Sequence, residues 1–251
     1  ILFGHNLGVI LRKTKPNDMT FAFHTGQYGV RLASTAAEVE QCQRLRHLSF
    51  FGAEGIDRDS HDDHCEHIMV AGGHGLVATC RIQVFHSTLN FSYAAQRYDI
   101  SSLLRFDCVM ELGRFCIAPT AENPDILRLI WGAVTRIVDQ ENVKLLFGCP
   151  SFEGTDPNEY HAAFGLLADR HSVDFIGSRA PSIFRLSGFD WSHRAGLQQL
   201  PPLLRSYLTM GGWVSDHAVV DHELNTMHVF CGVEVDKIPN ARAKSLRSIA
   251  R

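Results

Sequence analysis

No stretch of this sequence reaches the roughly 18 uncharged apolar residues that a membrane-spanning helix needs. The longest candidate, Leu127 to Val138, is cut by Arg128 and Arg136. There is no excess of charge of one sign, since 24 Lys+Arg stand against 27 Asp+Glu and leave a net charge of −3. A dedicated nucleic-acid binder carries a strong basic excess, so that class is disfavoured. There is no CxxC pair, and the seven cysteines make an odd number. That pattern argues for reduced, mostly buried thiols in a cytoplasmic protein. Internal repeats and low-complexity linkers are lacking too. With 45% hydrophobic and 20% charged residues the chain is not disordered. The first residues, ILFGHNLGVILRKTK, run apolar first and basic second, the reverse of a secretory leader. Phe3, Leu7, Ile10 and Leu11 fall at helical spacing ahead of Arg12, Lys13 and Lys15. This is the pattern of a short interfacial helix on an anionic membrane surface.

Periodicity predicts the elements that follow. Residues 28–34 read as a strand. Thr35 opens a helix to about Phe51, with Glu38 completing a capping box. Residues 66–71 and 75–85 read as a hairpin around Gly72-Gly73. A strand over 107–118 precedes Asn123-Pro124, an N-cap and N1 pair. Leu127, Ile130, Trp131, Val134 and Val138 then mark a helix. KLLFGC at 144–149 is a buried strand, and Asp156-Pro157 starts a helix with Tyr160, Phe164 and Leu167 on one stripe. Beyond about 170 the pattern is less regular, apart from the apolar, proline-started segment 201–214. The layout is α+β, with a mixed, mainly antiparallel sheet flanked by helices. It spans residues 28–235, between an N-terminal arm (1–27) and a basic tail (236–251).

Several charged residues sit in apolar settings. Arg46 lies within about 60° of Val39, Cys42 and Phe50 on the first helix, so it must find an anion or reach solvent. It is either a structural ion pair or part of a pocket wall. Glu111 shares a strand face with Val109, Phe115 and Ile117. Such a carboxylate tends to have a raised pKa, which suits a general base. The competing reading is a pair with Arg114, which a bulge at Gly113 would bring to the same side. His61, His64 and His67 recur every third residue amid acids and Cys65. A zinc site needs ligands converging from separate elements. One short segment does not supply them, so no metal is expected. The segment reads instead as a polar loop with one or two acids turned inward.

Three spacings, Arg46-x3-Phe50, Asp59-x2-Asp62 and Glu111-x2-Arg114, with Arg81 between the last two, resemble the acyl-homoserine-lactone synthases. Those are GNAT-like acyltransferases that draw on acyl carrier protein. The stretches QRLRHLSFF, DDHCEHIMV, VATCRI, MELGRFCIAP, FGCPSFEGTDP, LPPLLRSYLTMGG and AVVDHELNTMHVF are more similar to the bacterial L-ornithine N-acyltransferases of ornithine-lipid synthesis. GRFC stands where that family usually has GRSC, CEH where it has CDH, and His228 where Asp is common. The resemblance implies a GNAT-like N-acyltransferase fold and transfer of a 3-hydroxy fatty acyl group to the α-amine of an amino acid. The departures leave the acceptor open between ornithine and others, glutamine among them. An autoinducer synthase is the other enzyme reading, and a lipid-binding or membrane-perturbing protein the non-enzymatic one.

The resemblance also implies site residues. Glu111, Arg114 and Asp62 would be catalytic. Arg46, Phe50, Asp59, Arg81, Phe115 and Cys116 would bind substrate. Glu111 would take the amine proton, and backbone near Gly113 to Phe115 would stabilise the oxyanion. No tightly bound cofactor is implied, only a phosphopantetheine-linked acyl group as donor substrate. Coenzyme-A-dependent members of the fold cradle a pyrophosphate on a Gly-rich turn after the fourth strand. Here that place reads APTAENPDIL, without glycine. A carrier protein, which presents one phosphodiester, is therefore the expected partner. Such proteins are acidic, which makes Arg128, Arg136 and Lys144 the expected docking residues. A lipid product implies peripheral contact with the inner face of the membrane.

Overall fold

The computed structural model describes residues 21–73, 75–121, 123 and 125–250. The expected interfacial helix within residues 1–15 lies outside them. A hairpin of β1 (Ala22–Thr25) and β2 (Tyr28–Leu32) leads into α1 (Ala36–Phe51). Thr35 caps α1 in the expected capping box with Glu38, and Gly52, at φ 67°, ends it. β3 (Glu66–Gly72) and β4 (Gly75–Phe85) form the expected second hairpin. Then come β5 (Tyr98–Asp99), β6 (Val109–Ile117), α2 (Ile126–Glu141), β7 (Leu145–Gly148), β8 (Ser151–Glu153) and α3 (His161–Arg170). Short strands β9 (Ser172–Val173), β10 (Gly177–Ser178) and β11 (Ile183–Arg185) precede α4 (His193–Gln199) and α5 (Pro202–Thr209). A long hairpin of β12 (Trp213–Asp221) and β13 (Thr226–Glu234) leads to α6 (Asn240–Ile249).

The main sheet runs β1-β2-β3-β4-β6-β7-β13-β12-β11. Along that path every neighbouring pair is antiparallel except β6 with β7. The pleat sorts the two faces. Cys80, Ile82, Met110 and Leu112 join a core with Leu129, Val134 and Ile137 of α2 and Leu204 and Tyr207 of α5. On the other face Val109, Phe147, Val219 and Phe230 pack with Tyr98, Ile100 and Leu103. Each large apolar side chain fully buried in this way contributes about 1.5–3 kcal/mol. α1 lies on this second face, where Arg81 and Arg46 share Asp62.

The start of α2 differs from expectation. Asp125, not Asn123, is its N-cap, and the Asn123 side chain accepts the Asp125 N–H at 2.8 Å in a turn just before it. β1 occupies part of the expected N-terminal arm. In the expected basic tail, α6 packs on α2 and buries Leu246 and Ala250.

Two irregularities in the sheet make the site. Thr79 pairs with Cys116 and Arg81 with Gly113, so one residue of β4 faces two of β6. This is the bulge expected near Gly113. Its extra residue is Arg114, at φ 48°. The second is a parting of strands. The parallel ladder of β6 and β7 ends at Leu112 and Gly148. A Cβ at Gly148 would lie 2.4 Å from the Leu112 carbonyl oxygen, so only glycine allows this approach. Pro150 follows shortly after and has no N–H to continue the ladder. From there β8 pairs with β13, and β6 is left without a β7 partner past Leu112.

Candidate active site

A cavity of about 600 Å³ fills the gap between the parted strands. Leu112, Gly113, Arg114 and Phe115 of β6 line it, with Cys149, Pro150, Ser151 and Glu153 on the other branch. Phe50 and Phe51 at the end of α1 and Leu203 and Tyr207 of α5 add apolar wall. Arg81, Glu111 and Arg114 all line it, Glu111 and Arg114 on one side as the bulge was expected to arrange.

Beside the cavity lies an ion cluster. Arg46 is fully buried. It donates to Asp57 Oδ2 at 2.7 Å, to both Asp62 oxygens at 2.9 Å and to the Asp57 carbonyl. Arg81 reaches Asp59 at 2.5 Å and Asp62 at 2.9 Å from one nitrogen. Arg114 meets Asp57 at 3.1 Å and Asp59 at 3.2 Å, and its guanidinium lies 5.2 Å from the Tyr93 ring centre. Three arginines thus balance three aspartates. Gln43 also donates to Asp62 at 2.9 Å. Burial opposes the charge on Asp62, but the bonds and charge of Arg46, then Arg81, hold its pKa well below the ordinary range. Burial likewise opposes Asp59, and Arg81 outweighs it. Asp62 and Arg46 do not line the cavity, so they pin the 57–62 loop to the sheet. Arg46 is thus ion-paired and is not part of the cavity wall.

Glu111 does not pair with Arg114. Its carboxylate accepts the backbone N–H of Ala94 at 2.7 Å and of Tyr93 at 3.0 Å. It thereby holds the turn at Ser92–Gln96 over the cavity. Burial raises its pKa, and these hydrogen bonds pull the other way. The result is a carboxyl more basic than usual, as a proton acceptor requires.

The remaining expected residues divide. Phe50 and Phe115 line the cavity, whereas Cys116 does not. Cys116 is buried, and burial pushes its thiol up to about 12. His61, His64 and His67 do not converge, and no cluster able to hold a metal is found among the described residues. His61 Nδ1 meets the Phe91 carbonyl at 2.8 Å, while His67 is buried, which lowers its pKa to about 4. Arg128, Arg136 and Lys144 are spread along α2 and just past it. The 16 residues of α2 span about 24 Å. Arg128 lies in its first turn and Lys144 beyond its far end. Arg136 is anchored to the Ala250 carbonyl. Sequence reasoning missed Asp57, Gln43 and Tyr93, and it noted His228 only as a departure without placing it, Asp221, Glu223 or Thr226 at the site; all belong to the cluster or the cavity wall.

Residues 45–132 match the acetyltransferase (GNAT) domain family, and these hold β3, β4, β6 and their bulge. The fold is that of the GNAT acyltransferases. The chain is 26% identical to the L-ornithine N(alpha)-acyltransferase of Brucella abortus (strain 2308), over 85% of this chain and 86% of that protein. It is 29% identical to the protein of the same name from Rhizobium meliloti (strain 1021), over 83% and 80%. Among solved structures it is similar to FeeM, an N-acyl amino acid synthase from uncultured soil microbes, with 9% identity and a TM-score of 0.48 over 84% and 94% of the chains. No helix among the described residues is long and apolar enough to cross a membrane.

Proposed function

We propose that this GNAT chain is an amino acid N-acyltransferase that moves a 3-hydroxy fatty acyl group from acyl carrier protein to the α-amine of ornithine or a similar amino acid. The observation that carries this is the meeting of parted strands and a buried basic carboxyl in one cavity. The acyl thioester enters the gap between β6 and β7. Its carbonyl lies against the backbone of Gly113 to Phe115, where β6 has no β7 partner to take its N–H groups. The α-amine, deprotonated by Glu111 directly or through one water, attacks the carbonyl carbon. The C–N bond forms, the tetrahedral intermediate collapses, and the C–S bond breaks. The nitrogen, cationic after attack, gives up its second proton, and the leaving thiolate takes up that proton to depart as the thiol. Arg81 and Arg114 are paired with aspartates, and the guanidinium N–H groups left over from those pairs are donors for the acceptor carboxylate. Phe50, Phe51, Phe115 and Leu203 offer apolar surface to the acyl chain. The relatives named as ornithine acyltransferases support the acceptor class.

The test is expression in a host without aminolipids, followed by lipid extraction and mass spectrometry. An acylated amino acid is the expected product. A homoserine lactone, or no new acyl product, would overturn the proposal.

A further inference from the structure

The side of the cavity away from the arginines has its own chemistry. Past the last rung of the β6–β7 ladder, three strands run side by side. Ser151 of β8 pairs with His228 of β13, which pairs with Val219 of β12. Glu153 pairs with Thr226, which pairs with Asp221. Paired residues share a face, and Ser151, Glu153, Asp221, Thr226 and His228 all line the cavity. Glu223, at the β12–β13 turn, lines it too.

Two polar atoms of this patch are buried without a hydrogen-bond partner, His228 Nε2 and Thr226 Oγ1. The state of the imidazole follows from its neighbour. The Tyr98 hydroxyl donates its single proton to the His228 carbonyl at 2.8 Å. The same oxygen lies 3.0 Å from His228 Nδ1, so Nδ1 must carry the hydrogen and donate it. Nε2 is then a bare lone pair. Burial lowers the ring pKa to about 4 and keeps it neutral. An acceptor left unmade in such a place is costly, and a ligand bringing a donor removes the cost. The carboxylates of Glu153, Asp221 and Glu223 fix the sign of that donor. The cations lining the cavity, Arg81 and Arg114, are committed to aspartates across it.

We propose that Thr226, His228 and Asp221, with Glu153 and Glu223 around them, form a subsite for a second cationic group on the acceptor, the terminal ammonium of a dibasic amino acid. This rests on the amino acid N-acylation reading. The ammonium donates to His228 Nε2 and Thr226 Oγ1, and the carboxylates supply the counter-charge. The subsite makes His228 a specificity-determining residue.

The experiment compares kcat/KM for L-ornithine and L-norvaline, which has the same chain length without the terminal ammonium, with an acyl carrier protein thioester as donor. Wild type is expected to prefer ornithine. His228→Phe and Thr226→Val are each expected to cut the ornithine-to-norvaline ratio by roughly tenfold or more, through KM for ornithine rather than kcat. His228→Gln, which keeps an amide oxygen near Nε2, should recover part of it. If His228→Phe does not fold, Thr226→Val, which keeps the side-chain shape, decides. A ratio unchanged within twofold in the folded variants, or a wild type that acylates both amino acids equally, overturns the subsite alone. A wild type that acylates no amino acid overturns the reading of function, and the subsite falls with it.

Discussion

Replacing Arg46 by methionine keeps an unbranched, helix-compatible side chain and deletes the guanidinium. In the wild-type protein that group makes hydrogen bonds to both oxygens of Asp62 and to Asp57. Asp62 keeps Arg81 and Gln43, and Asp57 keeps Arg114. The cluster is left with two arginines against three aspartates, one of them buried. Removing one partner of a buried ion pair costs about 3–5 kcal/mol, because the other charge stays behind uncompensated. For a chain of this size, 1 kcal/mol shifts Tm by about 2–4 °C, so the loss should be roughly 6–20 °C. Arg44→Met, on the same helix, is the control. Arg44 pairs with Glu40 on the exposed face at i,i+4, a pair worth about 0.3–0.5 kcal/mol. Urea unfolding of both variants at neutral pH gives the comparison. A loss under about 1 kcal/mol for Arg46→Met, or one no larger than for Arg44→Met, would refute the claim that this cluster clamps the 57–62 loop.

Glu111→Gln should lower turnover by roughly 10²–10⁴ if Glu111 is the base. It should also cost about 1–3 kcal/mol of stability, because the amide NH₂ faces a backbone N–H where an oxygen accepted, so turnover must be measured on material shown to be folded. Near-normal turnover would remove Glu111 from the chemistry. Acyl carrier protein should be much preferred over the matching acyl-coenzyme A, and the preference should weaken with salt as surface charges are screened over about 8–10 Å. Equal kcat/KM for the two donors at low salt would sink that assignment. His67 has a pKa lowered to about 4 by burial, against about 6.5 unfolded. The unfolded chain therefore binds the extra proton, and stability is full above about pH 6.5 and falls as pH drops toward 4. His67→Leu should reduce the fall of the urea midpoint over that window, with His228, lowered in the same way, still contributing, and an unchanged slope would contradict it.

The elements legible in the sequence were those built from local signals. The Thr35–Glu38 box and the spacing of Ile130, Val134 and Val138 are written in consecutive residues, and the structure repeats them. The bulge was legible because Gly113 stands between two charged residues that cannot otherwise share a side. The β12–β13 hairpin was hidden because its register shifts between Val214 and Ala218, which breaks the two-residue alternation. On α1, Arg46 was legible as a charge in need of an anion because it sits on the apolar stripe, but its partners Asp57 and Asp62 lie in a loop without periodicity, and Gln43 beside it reads as surface until Asp62 folds over it. The true partners of Glu111 are backbone amides of Tyr93 and Ala94. Any residue supplies an amide, so no sequence signal marks them.

The parting of β6 and β7 opens the sheet from one side to the other. Leu112 and Tyr207 line the passage on the face packed by α2 and α5, and Glu111 and His228 on the opposite face. For the proposed reaction, thioester and amine can therefore approach from opposite sides and occupy the enzyme together. Neither has to depart to make room, and no acyl group need be parked on the protein in between. Cys149, the thiol lining this passage, is held protonated by burial and is a poor nucleophile. For that proposed reaction the expected outcome is a ternary complex and sequential kinetics, with intersecting rather than parallel double-reciprocal lines.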